Sequence, residues 1–243
     1  MIEAHGLTID YGSGERSVHA VADVSFQLEA GDSLAFLGPS GCGKTTILFA
    51  LAGLLPPSAG TIAIGGKPVD GPRREVSLIL QNAGLLPWKT VWKNANLSLR
   101  LAGEYPAKTA GTILDELGLG EVRKRFPAEL SEGMKRRVAI ARALSTAPSV
   151  MLMDEPLASL DTLTREKIQE LFLSLWKAHR FALVLVTHDI EEAAFLSREI
   201  VVLTERPARV KALISNPEMG GADYREREAY QTTCRRLREA LEQ

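Results

Sequence analysis

Cysteine is nearly missing from this chain of 243 residues, which has only Cys42 and Cys234. The two lie too far apart for a metal knuckle, and a lone pair in a chain this size is no disulfide framework, so a reducing compartment is expected. Long apolar runs are missing as well. The longest, ILFALAGLL at Ile47 to Leu55, falls far short of the roughly 18 residues that cross a bilayer. The opening stretch MIEAHGLTIDYG has neither the basic region nor the apolar core of a leader peptide. The expected location is therefore the cytoplasm, with any link to a membrane made through a partner. Charge of one sign is also missing: 29 Lys and Arg against 30 Asp and Glu leave a net charge of −1. Such a balance gives no long-range attraction to nucleic acid or anionic lipid, so contact with either would need a local patch. Internal repeats and low-complexity segments are absent too.

What is there is an ordinary soluble composition, 45% hydrophobic and 24% charged, enough for one large domain or a core with a smaller inserted lobe. Four short, continuous apolar runs, SLAFLG (33–38), EVSLIL (75–80), VMLM (150–153) and FALVLV (181–186), read as strands buried on both faces of a parallel sheet. Each run ends in polar residues. The first leads into GPSGCGKTT, the second into Gln81, the third into Asp154 and Glu155, and the fourth into Thr187, His188 and Asp189. Open α/β sheets bind ligands at these carboxyl ends, so one site is expected to draw on four segments.

HGLTIDY near the start and GTIAIGGKPV at 60–69 alternate instead and carry glycine punctuation, which suggests antiparallel strands at one edge, forming a small β subdomain. Between Trp88 and Ala147 the pattern is helical, with Ile113, Leu114 and Leu117 before a stop at Gly118, and Met134, Val138, Ala141 and Leu144 on one face. IVVLTERPARVKALI reads as a pair of strands, and the charged tail carries a weak helical stripe through Leu237 and Leu241. The expected fold class is α/β. Residues 1–87 and 148–215 would form the ligand-binding core with its β subdomain, 88–147 a helical subdomain, and 216–243 a helical tail.

Gly38, Pro39, Ser40, Gly41, Cys42, Gly43, Lys44 and Thr45 fit the phosphate-binding pattern G-x-x-x-x-G-K-[ST], with a strand before and the helical run TTILFALAGL after, and with Thr46 they are the residues expected to bind the nucleotide phosphates. Its glycines let successive backbone N–H groups turn inward, the helix dipole adds positive potential, Lys44 reaches the β and γ phosphates, and Thr45 offers its hydroxyl to Mg²⁺. Asp154 and Glu155 then supply one carboxylate for the metal and one to orient or deprotonate a water. His188, at the end of a parallel strand in the same site, can reach a γ phosphate. Cys42 sits near a helix start, where a thiol can be activated, but a small filler is the simpler reading. The basic run Lys135, Arg136, Arg137 invites a nucleic-acid reading, yet on a helix such a run more often faces solvent or a neighbouring site.

With the phosphate loop, Gln81, LSEGM (130–134), MLMDEP (151–156), SLD (159–161) and THD (187–189) in this order, the chain resembles, over nearly its whole length, the ATPase subunit of ATP-binding-cassette transporters. The resemblance implies a P-loop NTPase core and two cassettes, most simply a homodimer, closed head to tail on two ATP molecules. Each ATP would be held between the phosphate loop of one subunit and the signature serine and glycine, here Ser131 and Gly133, of the other. It implies Glu155 as catalytic base, Thr45, Asp154 and Gln81 as magnesium contacts, Gln81 also as a sensor of metal and water, and His188 as γ-phosphate switch. Asp161 would act across the dimer, and Tyr11 would stack on adenine. Glu132 departs from the usual LSGGQ glycine and bears on the rate of hydrolysis.

GLLPWKTVWKN (84–94) and HDIEEAAFLSREIVVLTERPARV (188–210) resemble importer ATPases of the nitrate, sulfonate and taurine group. That implies permease partners in the membrane, indirectly a substrate-binding protein, and a place on the inner face of the membrane. Leu85, Leu86, Pro87 and Trp88 would form an apolar dock for a permease helix, unless they are buried within the helical lobe. Two other readings compete. A cassette driving cell-envelope or lipid-handling machinery would carry the same motifs, whereas soluble nucleic-acid cassettes resemble fused pairs or cassettes with long insertions, which this chain lacks.

Overall fold

The computed structural model describes residues 1–12, 17–103, 108–158 and 160–242; Ser159 of the SLD triplet lies outside them. In chain order the strands and helices are β1 (Ile2–Tyr11), β2 (Val18–Leu28), β3 (Ser33–Leu37), α1 (Lys44–Leu51), β4 (Ala59–Ile64), β5 (Lys67–Pro68) and β6 (Val76–Ile79). Then come α2 (Val91–Ala95), α3 (Leu97–Leu101), α4 (Lys108–Glu116), α5 (Glu132–Leu144), β7 (Val150–Asp154), α6 (Thr162–His179) and β8 (Ala182–Thr187). The chain closes with α7 (Ile190–Leu196), β9 (Glu199–Leu203), β10 (Val210–Ser215) and α8 (Glu228–Glu242).

The strands form two sheets. The alternating segments make a separate antiparallel sheet of order β2-β1-β4-β5, and the continuous apolar runs make a six-stranded sheet of order β10-β9-β3-β8-β7-β6. Within the latter, β9, β3, β8, β7 and β6 run parallel and only β10 is antiparallel. The apolar runs follow from this placement. Side chains of a strand alternate between faces, and here Ala35, Met151, Leu183 and Ile200 enter a core shared with the helices α2, α4 to α8. Their neighbours Phe36, Leu152, Val184 and Val201 enter a second core shared with α1 and the antiparallel sheet. A strand buried on both faces cannot alternate with polar residues. β6 departs from the expectation for EVSLIL: it is an edge strand, and Val76, Ser77 and Leu78 are only half-buried.

Trp88 to Ala147 carries α2 to α5, and the C-terminal tail folds as α8, which buries Tyr230, Thr233 and Leu237 against the body of the chain. Because β8 lies between β3 and β7, the segments leaving their carboxyl ends converge. The phosphate loop, the Asp154–Glu155 pair and His188 meet at one end of the sheet.

Candidate active site

Gly43 is the N-cap of α1, with φ of 130°. A Cβ there would lie 2.5 Å from the carbonyl oxygen of Ala20 and 3.2 Å from Cβ of Ala208. Only glycine combines that backbone angle with that close approach. Lys44, buried, folds back so that Nζ donates to the carbonyls of Gly38 at 2.8 Å and Pro39 at 2.9 Å. The ammonium is thus held inside the loop, while Pro39, Ser40 and Gly41 form an exposed rim. Arg206 ties this rim to the β9–β10 turn through Nη2 to the Gly41 carbonyl at 2.8 Å. Cys42 is buried beneath it, and burial raises its thiol above the ordinary value, as befits an inert filler.

Thr45 Oγ1 donates to Asp154 Oδ1 at 2.9 Å. Burial raises the Asp154 carboxyl above its usual range, and the Thr45 hydrogen bond acts in the opposite direction. Glu155 follows with φ of 42°, a left-handed conformation for a residue with a side chain. This costs about 1 kcal/mol or more. Its N–H donates to the Val186 carbonyl at 2.9 Å, which anchors the turn to β8. The turn aims the Glu155 carboxylate back at the loop: Oε1 lies 3.9 Å from Lys44 Nζ and 3.2 Å from His188 Nδ1.

The His188 loop is itself braced. Asp189 caps α7, accepting from Glu191 N at 2.9 Å and Glu192 N at 3.1 Å, and pairs with Arg165 at 2.9 Å. Thr187 Oγ1 accepts from Asp189 N at 3.0 Å and donates to the buried carboxyl of Glu192. Burial, first of all, pushes that carboxyl up to about 8.

The other expected residues stand apart from this cluster. Tyr11 is exposed at the end of β1, its hydroxyl 3.2 Å from Thr46 Oγ1. Gln81 is exposed; its backbone carbonyl accepts from Arg136 Nη2, and Leu80 O accepts from Arg136 Nη1 at 3.0 Å. Ser131 caps α5, its Oγ accepting from Met134 N at 3.3 Å, and Gly133 is so close to α6 that a Cβ would meet Thr164 Cγ2 at 2.9 Å. Asp161 caps α6, accepting from Thr164 N at 3.0 Å, and that hydrogen bond holds its carboxyl below the usual range. Among the described residues, no hydrogen bond or ion pair joins Ser131, Gly133 or Asp161 to the phosphate loop.

Several structural partners escape a motif reading. Arg136 and Arg142 leave α5 to bind the backbone after β6, Arg142 taking the carbonyls of Ala83 and Gly84 at 2.7 Å each. Burial lowers both guanidinium groups. The run Lys135, Arg136, Arg137 is engaged within the chain: Lys135 pairs with Glu132 at 2.6 Å and Arg137 donates to Leu117 O at 3.3 Å. A run of like charge says nothing of such partners. Glu192 does carry a signal, because Asp189-Ile-Glu-Glu192 has the D-x-x-E spacing of a capping box.

A family model described as ABC transporter matches residues 21–158, more than half of the chain. The chain belongs to the ABC transporter family. This ABC chain is 43% identical over 218 residues to the taurine import ATP-binding protein TauB of Yersinia pestis bv. Antiqua (strain Antiqua), covering 88% of this chain and 84% of the relative. It is 42% identical over 213 residues to TauB of Escherichia coli (strain K12), covering 86% and 82%. Among solved structures, it is similar to the ATP-binding cassette MJ0796 in a dimeric post-hydrolysis state bound to ADP and Pi, with a TM-score of 0.78, 29% identity and coverage of 88% and 98%. It is also similar to cbiO1 of Clostridium perfringens, part of the ABC transporter complex cbiONQ, with a TM-score of 0.80, 25% identity and coverage of 98% and 96%. An α/β P-loop cassette is thus the fold of the ABC chain, and ATP hydrolysis is its chemistry.

Proposed function

We propose that this chain is the ATP-hydrolysing subunit of an importer for a small anionic or zwitterionic solute of the nitrate, sulfonate and taurine class, taurine first. The observation that carries the chemistry is the convergence of Lys44, Thr45, Asp154, Glu155 and His188 through direct contacts at one end of the sheet. The TauB relatives support the transport reading.

In this reading Lys44 exchanges the Gly38 and Pro39 carbonyls for β- and γ-phosphate oxygens, which the N–H groups of the loop also receive. Thr45 and Asp154 provide a hydroxyl and a carboxylate, hard oxygen donors of the kind Mg²⁺ takes. Among the described residues no group of three His, Cys, Asp or Glu could hold a metal, which fits an ion bound largely by substrate phosphates and water. When bound, Mg²⁺ would neutralise phosphate charge. Gln81, exposed after β6, would approach the same ion.

Glu155 orients the attacking water and takes its proton, and His188 holds the γ phosphate. Ser131, Gly133 and Asp161, which make no bond to their own phosphate loop, act on the ATP of a second copy. Tyr11 offers its ring to adenine. No helix of the described residues is long and apolar enough to cross a membrane. In this reading the chain works on the inner face of the membrane through permease subunits, which receive solute from a binding protein. Pro87 and Trp88, both exposed and the latter 70% so, offer an apolar dock beside the arginine-clamped Gln81 segment.

The test is reconstitution with the neighbouring permease and binding protein in vesicles. Taurine-stimulated ATP hydrolysis coupled to taurine uptake is expected, whereas stimulation by an envelope lipid without solute uptake would overturn the importer reading.

A further inference from the structure

We propose that Glu192 is a positioning residue for hydrolysis: through the Thr187 hydroxyl it latches the loop that carries His188. In an ordinary capping box the glutamate at this spacing reaches back to the N–H of the capping residue. Here Thr187 is inserted between them. Its hydroxyl accepts from Asp189 N at 3.0 Å and donates to Glu192 Oε2, so the backbone on either side of His188 is tied to one carboxyl. Among the described residues Glu192 makes no other hydrogen bond through its carboxyl. It is 3% exposed, and its second oxygen, Oε1, is buried with no hydrogen-bond partner.

The surroundings decide its charge. Asp189 on its own helix cap and Glu155 at the end of β7 both disfavour an anion there. Arg165 of α6 favours one, but its guanidinium is committed to Asp189 at 2.9 Å and Leu160 O at 3.2 Å. Arg136 of α5 is committed to the carbonyls of Leu80 and Gln81. From α8, Tyr230 and Cys234 face Glu191, and burial raises both, so they remain neutral. A buried carboxylate with one hydroxyl donor and two acidic neighbours is unfavourable, and the carboxyl accordingly holds its proton up to about pH 8. The Thr187 hydrogen bond favours the ionised form but is outweighed by burial and the two acidic neighbours, so on ionisation the carboxylate is expected to turn from Glu155 and Asp189 toward water, which withdraws it from Thr187 and frees the His188 loop.

This rests on the reading of His188 as the γ-phosphate contact. The experiment is steady-state ATPase activity at saturating Mg-ATP from about pH 6.5 to about 9.5 for the wild-type chain, Glu192→Gln, Glu192→Ala and Thr187→Val. Glutamine keeps a neutral side chain of the same shape. For the wild type, kcat is expected to fall about 5-fold between about pH 7 and 9, with its midpoint near 8. Glu192→Gln should lose less than about 2-fold over that range, whatever its absolute rate.

Glu192→Ala and Thr187→Val should have kcat lower by about 10-fold at every pH, no limb near 8, and KM for ATP within about 3-fold of the wild type, because the phosphate loop is untouched. An unchanged alkaline limb in Glu192→Gln, or a Thr187→Val variant with wild-type rate and limb, overturns the latch. Should Glu192→Ala not fold, the other two variants still decide. A wild type that hydrolyses no ATP overturns the reading of the site itself, whereas an active wild type with a flat profile overturns the latch alone.

Discussion

His188 Nδ1 and Glu155 Oε1 lie 3.2 Å apart, and the same carboxylate oxygen is 3.9 Å from Lys44 Nζ. The group assigned to the water and the group assigned to the γ phosphate therefore touch. The left-handed backbone at Glu155, anchored to Val186, keeps the carboxylate in that position. Glu155→Gln keeps the shape and removes the base. It is expected to bind ATP with near-normal affinity, lower kcat by about 10² to 10⁴-fold, and accumulate as an ATP-bound dimer. Single-turnover hydrolysis and size exclusion in Mg-ATP check this; turnover within a few-fold of wild type would remove Glu155 from the role of base.

Stability should also depend on Glu192. Its folded-state value, about 8, lies above the ordinary 4.5, so between those two pH values the folded chain holds a proton that the unfolded chain has released. Its contribution to stability is present in full below about 4.5 and is lost as pH rises to about 8. The slope is about 1.4 kcal/mol per pH unit, so Glu192→Gln should gain about 2 to 3 kcal/mol relative to wild type between about pH 5.5 and 7.5, and nothing further above 8.5. Urea unfolding of both forms across that range measures it. Parallel stability curves would mean that Glu192 is ionised in the folded chain.

The sequence reveals the chemical cluster because a nucleotide loop, a strand-end acid pair and a strand-end histidine each have a local pattern. It reveals the six-stranded sheet because burial on two faces leaves an apolar run. The strand β2 is harder to see. Its alternation is broken where Asp23 takes φ of 57° opposite Gly6 at 59°, and the β1–β2 register shifts there. The arginine clamps on the Gln81 segment are invisible for another reason: Arg136 and Arg142 bind backbone carbonyls 55 to 59 residues away, and a carbonyl has no residue-specific signature. Glu192 has the right spacing for a cap, but only the fold shows Thr187 standing in the way.

Trp88 tests the dock. It is 70% exposed and Pro87 is exposed beside it, while Leu85 and Leu86 are half-buried and Leu85 packs against the core. The outer two residues are therefore free for a partner. Trp88→Gln is expected to change thermal stability by less than about 0.5 kcal/mol and to leave ATP binding intact, while solute-stimulated ATPase in the reconstituted complex falls at least about 10-fold. A Leu85→Ala variant is the contrast and should lose about 1 to 3 kcal/mol of stability. If Trp88→Gln couples normally, the dock lies elsewhere.

Glu132, between the signature residues Ser131 and Gly133, occupies the first position of α5 and bonds Lys135 at 2.6 Å. An acid at a helix start stabilises it by about 0.3 to 1 kcal/mol. Toward a phosphate arriving on a second subunit, however, it presents a negative charge, which at roughly 8 Å and an effective dielectric of 20 to 80 repels by about 0.5 to 2 kcal/mol. Lys135 offsets much of this, because the approaching phosphate meets a pair and not a lone carboxylate. Two consequences follow from the pairing. Glu132→Gly should strengthen ATP-driven dimerisation and raise basal ATPase by about 2- to 5-fold, more at low salt than at high. Lys135→Ala, which leaves the carboxylate uncompensated, should weaken dimerisation by about 2- to 10-fold, and the double variant, which like the wild-type pair presents no net charge to the phosphate, should return close to wild type. Analytical ultracentrifugation of the four forms in an ATP-trapping background at two ionic strengths provides the cycle. A glycine variant that associates more weakly than wild type would show that Glu132 aids closure through a contact of its own and does not oppose it.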